Sequence, residues 1–260
     1  MPRLRLTLAY VGTKYNGWQR QILKEGELPT VQGFVEKEIS RICNTKIHLQ
    51  GSGRTDSGVH ADCQVAHCDI PEEKTKLNWQ LAPNTALPPD IRVKDFTIVS
   101  DTFHALFDVE KKAYTYSLWL NKNYVPPKIY PFTWACGELD LKAIDTAIPH
   151  LLGEHDFSFV QNQGTKLHTT IRTLYEINRS NYEEQIIRDP NNFELQITFI
   201  ANGFLKQMVR NLIGLLVACG KGKIAPQAIP ELINTKDRKK SPPTAPPQGL
   251  TMSKIWYKNE

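Results

Sequence analysis

The sequence has no apolar run long enough to span a membrane. Its longest apolar stretch, residues 212–219, contains eight residues and is interrupted by Gly214, whereas a spanning helix needs about 20. The first residues pass directly into an alternating pattern, without the apolar region of a secretory signal. We therefore expect a cytoplasmic protein with no membrane partner.

Cysteines are few and form no recognisable framework. The five cysteines are an odd number, and none of them belongs to a C-x-x-C pair. A metal site at Cys63, His67 and Cys68 is disfavoured, because these residues alternate along a predicted strand and lack a second ligand pair. We expect reduced thiols and no metal site.

Charges of both signs are present, but they are unevenly distributed. The 260 residues include 32 Lys and Arg against 27 Asp and Glu. A hydrophobic share of 40% is enough for one large globular domain or two small ones. Residues 201–260 contain ten Lys and Arg but only three Asp and Glu. This basic quarter suits a polyanionic partner, although a cluster such as residues 236–240 is also typical of a solvated face.

Hydrophobic periodicity predicts two successive units that share the order βαββαβ. In the first unit it predicts a helix capped by Thr30 at 31–42, a weaker helix near 74–81, and strands at 4–10, 47–50, 64–70 and 91–96. In the second unit it predicts helices at 141–152 and 204–219, and strands at 113–120, 171–177, 193–200 and 252–257. Pro149 is expected to kink or shorten the helix that contains it.

This order predicts an α+β fold of two pseudo-duplicated βαββαβ-like lobes, residues 1–106 and 107–260. Their mainly antiparallel sheets are expected to form a platform with helices on one face. The other face and a central cleft then remain for a large ligand such as RNA. The duplication is visible in the pattern only, since no residue-level repeat accompanies it.

One polar, glycine-rich loop between two predicted strands is the candidate for chemistry. Residues 51–60 contain Arg54 and Asp56 among three glycines. Composition alone favours a surface loop with a weak ion pair. The loop lacks the G-K-[ST] ending of a P-loop, which argues against nucleotide hydrolysis. The chain also lacks H-x-E paired with P-C-x-x-C, which disfavours a zinc base deaminase.

The same loop resembles the signature of a known family. Residues 51–61, GSGRTDSGVHA, are similar to the active-site sequence of the tRNA pseudouridine synthase A family. Other similar segments occur in order over nearly the whole chain, at residues 10–21, 30–32, 84–91, 103–105, 153–157, 208–211, 237–238 and 246–250.

The resemblance implies a cofactor-free enzyme that isomerises uridine to pseudouridine at positions 38, 39 and 40, in the anticodon stem-loop of tRNA. It also implies a homodimer. The reaction moves the glycosidic bond of uracil from N1 to C5. One carboxylate can serve it, either by covalent addition or by abstracting a sugar proton to give a glycal. Asp56 matches the catalytic aspartate of the family.

Three further residues are candidates for binding the substrate. By resemblance, Arg210 is the cation that keeps the catalytic carboxylate ionised. Helical spacing also places it off the apolar stripe of its helix. Tyr114 matches the tyrosine that packs against the target uracil. Arg54 either pairs with Asp56 or binds a tRNA phosphate.

The segment Phe103, His104, Ala105, Leu106 and Phe107 is expected to contact RNA. In the family an arginine usually follows the first three of these residues and enters the RNA stem as the target base leaves, whereas this chain has Leu106. A leucine can wedge between bases but forms no hydrogen bond to a phosphate or a base. The competing hypothesis is a non-catalytic tRNA-binding protein or RNA chaperone with the same fold and basic face.

Overall fold

Strands from both ends of the sequence meet in one of the two units into which the chain packs. The computed structural model describes residues 1–162 and 169–258. The first unit comprises Met1–Glu110 and Thr251–Glu260, and the second comprises Lys111–Leu250.

The first unit is built on a mainly antiparallel sheet. Its elements in chain order are β1 (Arg3–Tyr10), β2 (Ile22–Leu23), β3 (Gly26–Glu27), α1 (Val31–Cys43), β4 (Gln50–Gly51), β5 (His60–Asp69), α2 (Leu81–Asn84) and β6 (Ile91–Val99). The strands are ordered β6-β1-β5, with β4 also paired to β5, and β2 pairs only with β3. The last strand of the chain, β12 (Leu250–Tyr257), pairs in parallel with β5. Residues 251–260 therefore lie in this unit, whereas the sequence-based division kept them with the second lobe.

Local sequence explains how this unit forms. Leu4, Leu6 and Leu8 alternate along β1 and are fully buried, as expected for a strand with one face on the core. Helix α1 begins after Thr30, whose side-chain oxygen accepts the backbone N–H of Gly33, because an uncapped first turn leaves N–H groups without partners.

The second unit contains the remaining elements, among them a series of antiparallel strands. These elements are β7 (Val109–Trp119), β8 (Trp134–Ala135), α3 (Leu141–Ala147), β9 (Gly153–Asp156), β10 (Ile171–Arg179), α4 (Tyr182–Arg188), β11 (Glu194–Ala201), α5 (Met208–Gly220) and α6 (Ile229–Thr235). The sheet order is β7-β11-β10-β9, and β8 pairs in parallel with β7. Helix α5 is buried along almost its whole length.

The α+β class with mainly antiparallel strands is confirmed, and most predicted elements are present. The helix predicted near 74–81 is wrong. That region has a 3-10 turn at Glu72–Lys74, and α2 starts late because Oδ1 of Asn78 accepts the N–H of Leu81 at 2.9 Å. The predicted strand at 47–50 is reduced to the two residues of β4.

Two more helices differ from the pattern in the sequence. Helix α5 begins four residues later than predicted, because Gln207 adopts a left-handed φ of 62°, which is incompatible with a right-handed helix at that residue. Helix α3 ends at Ala147 and continues as a 3-10 turn, Ile148–Leu151, which confirms the predicted effect of Pro149. Helices α4 and α6 were not predicted.

The structure also bears on the expectations about cysteines and membrane-spanning segments. All five cysteines are free thiols, as predicted. Within residues 1–162 and 169–258, no helix is long and apolar enough to cross a membrane.

Candidate active site

Asp56 lies in the loop between β4 and β5, on backbone that is held from several directions. The hydroxyls of Tyr10 and Thr55 share a hydrogen bond of 2.9 Å, and the Thr55 carbonyl accepts the Trp18 N–H at 3.2 Å. The Asp56 carbonyl accepts the N–H of Val59 at 3.2 Å, which closes the turn. The Asp56 side chain is half-buried. The carboxylate is thus carried by a turn whose position is fixed by hydrogen bonds within the protein.

Residues 10–21, which we name the buttress, pack backbone to backbone against this loop. A Cβ atom on Gly12 would lie 1.9 Å from the carbonyl oxygen of Val59, so no larger residue fits. Gly17 has a φ of +83°, and its Cβ would lie 2.4 Å from the carbonyl oxygen of Thr55. The Ser57 hydroxyl donates to the Tyr15 carbonyl at 3.0 Å. The resemblance in residues 10–21 therefore coincides with a support for the loop that carries Asp56.

Gln64 holds the start of the loop and was not recognised from the sequence. Its Oε1 accepts the Ser52 hydroxyl at 2.6 Å, and its Nε2 donates to the Gly53 carbonyl at 2.9 Å. Both Ser52 and Gln64 are fully buried, and buried polar groups are stable only when they are hydrogen-bonded. The available signal was a glutamine directly before the apolar residues Val65 and Ala66 of a predicted strand.

Arg54 and His60 occupy different environments in this loop. Arg54 is exposed, and its Nε donates to Oε1 of Gln19 in the buttress at 3.2 Å. His60 is buried, and its Nδ1 accepts the Gly12 N–H at 3.1 Å. The imidazole of His60 thus holds the backbone of Gly12 in place.

The segment from 103 to 107 is a loop fixed by three different strands. Arg3 on β1 donates to the Phe103 carbonyl at 2.8 Å. His67 on β5 accepts the Ala105 N–H at Nδ1, 3.1 Å away, and the Tyr257 hydroxyl on β12 donates to the Ala105 carbonyl at 2.8 Å. Burial, helped by the positive charge of Arg3, lowers the pKa of His67 to about 4. His67 is therefore neutral at physiological pH, which its acceptor role requires.

His104 organises the tip of this loop. Its side-chain Nδ1 accepts the backbone N–H groups of both Leu106 and Phe107, at 3.1 and 3.2 Å. Its backbone N–H donates to Oδ2 of Asp108 at 2.6 Å. The rings of His104 and Phe107 are stacked with centroids 4.1 Å apart. Leu106 is 37% exposed and Phe107 71% exposed. The loop thus presents two apolar side chains to solvent on an ordered backbone.

In the second unit, Tyr114 is packed into the sheet. It lies on β7 opposite Phe199 of β11, and its ring meets that of Phe204 edge to face at 5.1 Å between centroids. Tyr114 is 8% exposed. Its ring orientation is therefore fixed by neighbours within the unit.

Arg210 lies in the first turn of α5 and is tied to the Pro-rich segment that follows α6. Its Nε donates to the Ala245 carbonyl at 2.8 Å, and its own carbonyl accepts the Ala245 N–H at 3.1 Å. The Arg210 side chain is half-buried. The first bond fixes one edge of the guanidinium, and the second bond holds Ala245 against the backbone of the helix.

The predicted site residues are therefore distributed over both units. Arg54, Asp56 and the segment 103–107 belong to the first unit, and Tyr114 and Arg210 belong to the second. Within the first unit, Arg54 and Asp56 share one loop.

Comparison with known proteins gives a consistent result over the full chain. A family model described as tRNA pseudouridine synthase matches residues 7–108 and 147–258. The tRNA pseudouridine synthase A of Lawsonia intracellularis is 52% identical over 258 residues, which are 99% of this chain and 100% of that protein. The protein of the same name from Oleidesulfovibrio alaskensis is 46% identical, covering 100% of this chain and 98% of that protein. The one from Staphylococcus saprophyticus is 35% identical, covering 98% and 90%.

Proposed function

The chain belongs to the tRNA pseudouridine synthase A family and isomerises uridine to pseudouridine in tRNA, and from this premise we propose that its targets are positions 38, 39 and 40 of the anticodon stem-loop. The observation that carries the catalytic part of the proposal is the buttressed loop that holds Asp56, and the choice of positions rests on the resemblance to the family. A non-catalytic RNA chaperone is not favoured, because the relatives that cover the whole chain carry the name of an enzyme.

We assign the catalytic carboxylate to Asp56. The reaction breaks the bond from C1′ of ribose to N1 of uracil and forms a bond from C1′ to C5, while the C5 hydrogen leaves as a proton and N1 takes up a proton, so the product is an isomer of the substrate. The reaction involves no net oxidation and no hydrolysis, so the proposed chemistry needs a carboxylate and no cofactor. Asp56 acts either by covalent addition or by abstracting a sugar proton. Its fixed backbone limits the reorganisation needed to reach the reacting atoms.

We assign substrate binding to Tyr114, Arg210 and Arg54. Tyr114 matches the tyrosine that packs against the target uracil in the family, and its packing against Phe204 keeps the ring in one orientation. Arg210 supplies a positive charge whose direction is set by its bond to Ala245. Arg54 is exposed, so its guanidinium suits a tRNA phosphate.

We assign RNA insertion to the tip of the loop 103–107. Leu106 and Phe107 are exposed apolar side chains on a backbone that His104 and Ala105 hold in place. Apolar wedges of this kind enter base steps and unstack them, which lowers the cost of removing a base from its stack.

The proposal includes the oligomeric state and the compartment. A homodimer allows one subunit to bind the body of the tRNA while the other subunit takes the anticodon arm. Because the substrate is tRNA, the cytoplasm is the compartment in which we expect the protein. Sedimentation of the purified protein with and without tRNA tests the dimer.

The function is tested with tRNA transcripts that carry tritium at C5 of uridine, because formation of the C5 glycosidic bond expels that hydrogen into water. We expect release by the wild-type protein, no release by Asp56→Asn, and similar tRNA affinity for both. Transcripts that keep uridine at only one of positions 38, 39 and 40 assign the targets. Release by Asp56→Asn overturns the assignment of Asp56, and tight binding without release by the wild type supports the chaperone.

A further inference from the structure

Residues 241–249, which we name the strap, cross helix α5 in backbone-level contact at Gly214. A Cβ atom on Gly214 of α5 would lie 2.2 Å from the carbonyl oxygen of Pro243. The strap is also tied at both ends, since the Ser241 hydroxyl donates to the Phe159 carbonyl and the Tyr116 hydroxyl donates to the Pro246 carbonyl, each at 2.7 Å. The strap is therefore a defined part of the fold despite its two Pro-Pro pairs, at residues 242–243 and 246–247.

A buried asparagine connects the strap to the helix. Asn211 is fully buried, and its Oδ1 accepts from Nη2 of Arg238 at 2.9 Å and from the hydroxyl of Thr244 at 2.7 Å. Its Nδ2 donates to the Val160 carbonyl at 2.7 Å. Such a network is stable only while each member keeps its partner, because an unpaired buried polar group is costly.

Arg238 completes this network with its guanidinium. Its Nη1 donates to the carbonyls of Ser241 and Pro242 at 3.1 and 3.0 Å, and its Nη2 donates to Thr244 Oγ1 at 3.0 Å. Burial lowers the pKa of Arg238. Its neighbours Lys239 and Lys240 are exposed, in contrast to the half-buried Arg238. Within this basic cluster, Arg238 binds the strap of its own chain.

The network ends next to Arg210. Thr244 precedes Ala245, the residue that exchanges two hydrogen bonds with Arg210, and Asn211 follows Arg210 in the helix. Adjacent residues of α5 thus hold adjacent residues of the strap. Movement of Thr244 shifts the carbonyl on which the Arg210 guanidinium rests.

We propose that Asn211, Arg238 and Thr244 are positioning residues that act through Ala245 to hold the guanidinium of Arg210 in its reactive orientation. The inference rests on the proposed role of Arg210. It also gives a structural role to Arg238, which lies in a segment similar to the family and to which the chemistry itself assigns no part.

The test compares Thr244→Val, which removes the hydroxyl while keeping the side-chain shape, with Thr244→Ser, which keeps the hydroxyl. At saturating tRNA we expect the single-turnover rate of tritium release to fall about tenfold in Thr244→Val and to stay within about twofold of wild type in Thr244→Ser, as for loss of an interaction used in the transition state. The Kd for tRNA should change less than about twofold in both. Thr146→Val removes a comparable hydroxyl from an exposed position of α3 and should leave the rate unchanged.

A double-mutant cycle separates positioning from general damage. If Thr244 acts through Arg210, Thr244→Val should have little further effect in an Arg210→Lys background, because the interaction is already lost. A full tenfold loss in that background overturns the proposal, as does an unchanged rate in Thr244→Val. Should Thr244→Val fail to fold, as judged by its thermal transition, Arg238→Lys keeps the charge but loses the fork of donors and takes its place in the cycle.

A measurement without tRNA keeps this inference independent of the proposed function. In ¹⁵N-labelled free protein, the Arg210 Nε–H, identified by its absence in Arg210→Lys, should exchange slowly with water in wild type and in Thr244→Ser. It should exchange faster in Thr244→Val. Equal exchange in all three overturns the positioning role even if the enzyme is active, whereas an inactive wild type with the expected exchange overturns only the proposed function.

Discussion

A Cβ atom on Gly17 would lie 2.4 Å from the carbonyl oxygen of Thr55, the residue before Asp56. The two backbones are therefore too close for a side chain at residue 17, and the position of the loop that carries Asp56 depends on this absence. Gly17 also has a φ of +83°, a conformation in which any L-residue is strained.

Gly17→Ala should consequently reduce both stability and activity. We expect a loss of about 3 kcal/mol in the free energy of unfolding, of which about 1 to 2 kcal/mol is left-handed strain and the rest is the clash with Thr55. Tritium release should fall about tenfold or more, because a small displacement of a catalytic group is costly.

Gly222→Ala is the matched control for this change. Gly222 has a φ of +67° but has open space where its Cβ would be, so it reports the strain alone, about 1 to 2 kcal/mol. Urea unfolding and the tritium assay measure both variants. Equal losses of stability, with activity retained in Gly17→Ala, would show that the close approach to Thr55 has no role.

His67 should make stability depend on pH in a defined window. Its folded-state pKa is about 4, below the ordinary value of 6.5, chiefly because of burial, with Arg3 and His104 also lowering it and Asp69 and Asp108 opposing. Between these two values the unfolded chain binds more protons at this residue than the folded chain. The stability that neutral His67 contributes is fully present above pH 6.5 and is lost as the pH falls toward 4. Protonation would also place a second donor against the Ala105 N–H.

His67→Asn isolates this effect, because asparagine retains an acceptor near the position of Nδ1 and does not titrate. Urea unfolding between pH 7 and pH 4 should show a steeper fall for wild type than for His67→Asn. Parallel curves for the two proteins would mean that His67 does not titrate in this window.

The division between what sequence revealed and what it did not follows physical lines. Alternation in β1 and the cap at Thr30 are local, so the strand and the helix could be predicted. The pairing of Thr251 with His60 is not local, and periodicity carries no information on which strands become neighbours. The late start of α5 depends on the left-handed φ of Gln207, and a glutamine in the sequence does not predict that conformation.

The candidate site shows the same division. Resemblance supplied Asp56 and Arg54 because their motif is contiguous, and the structure added supports that lie outside that motif. Gln64 and Gly17 act on this loop through a buried hydrogen bond and a close backbone approach. Neither feature is encoded in the loop itself.

Leu106→Arg should strengthen tRNA binding and make it more dependent on salt. Leu106 is partly exposed at the tip of its loop, and an arginine there can neutralise one phosphate. The slope of log Kd against log salt should then steepen by about 0.7 to 0.9. Ile187→Arg makes a similar change at an exposed position of α4, outside the proposed contact. The assignment fails if both variants change the slope equally.

Phe107 provides the sharpest test of the insertion loop, because its ring is 71% exposed and yet is stacked at 4.1 Å on His104. Phe107→Ala should cost less than about 0.5 kcal/mol of folding stability, as is usual for exposed positions. It should weaken tRNA binding by about 1 to 3 kcal/mol if a base stacks on the ring. Phe107→Tyr keeps the aromatic face and should bind as wild type does. Fluorescence titration with the anticodon stem-loop measures the three Kd values. An unchanged Kd in Phe107→Ala would mean that the exposed ring does not stack on RNA, and would leave insertion to Leu106 alone.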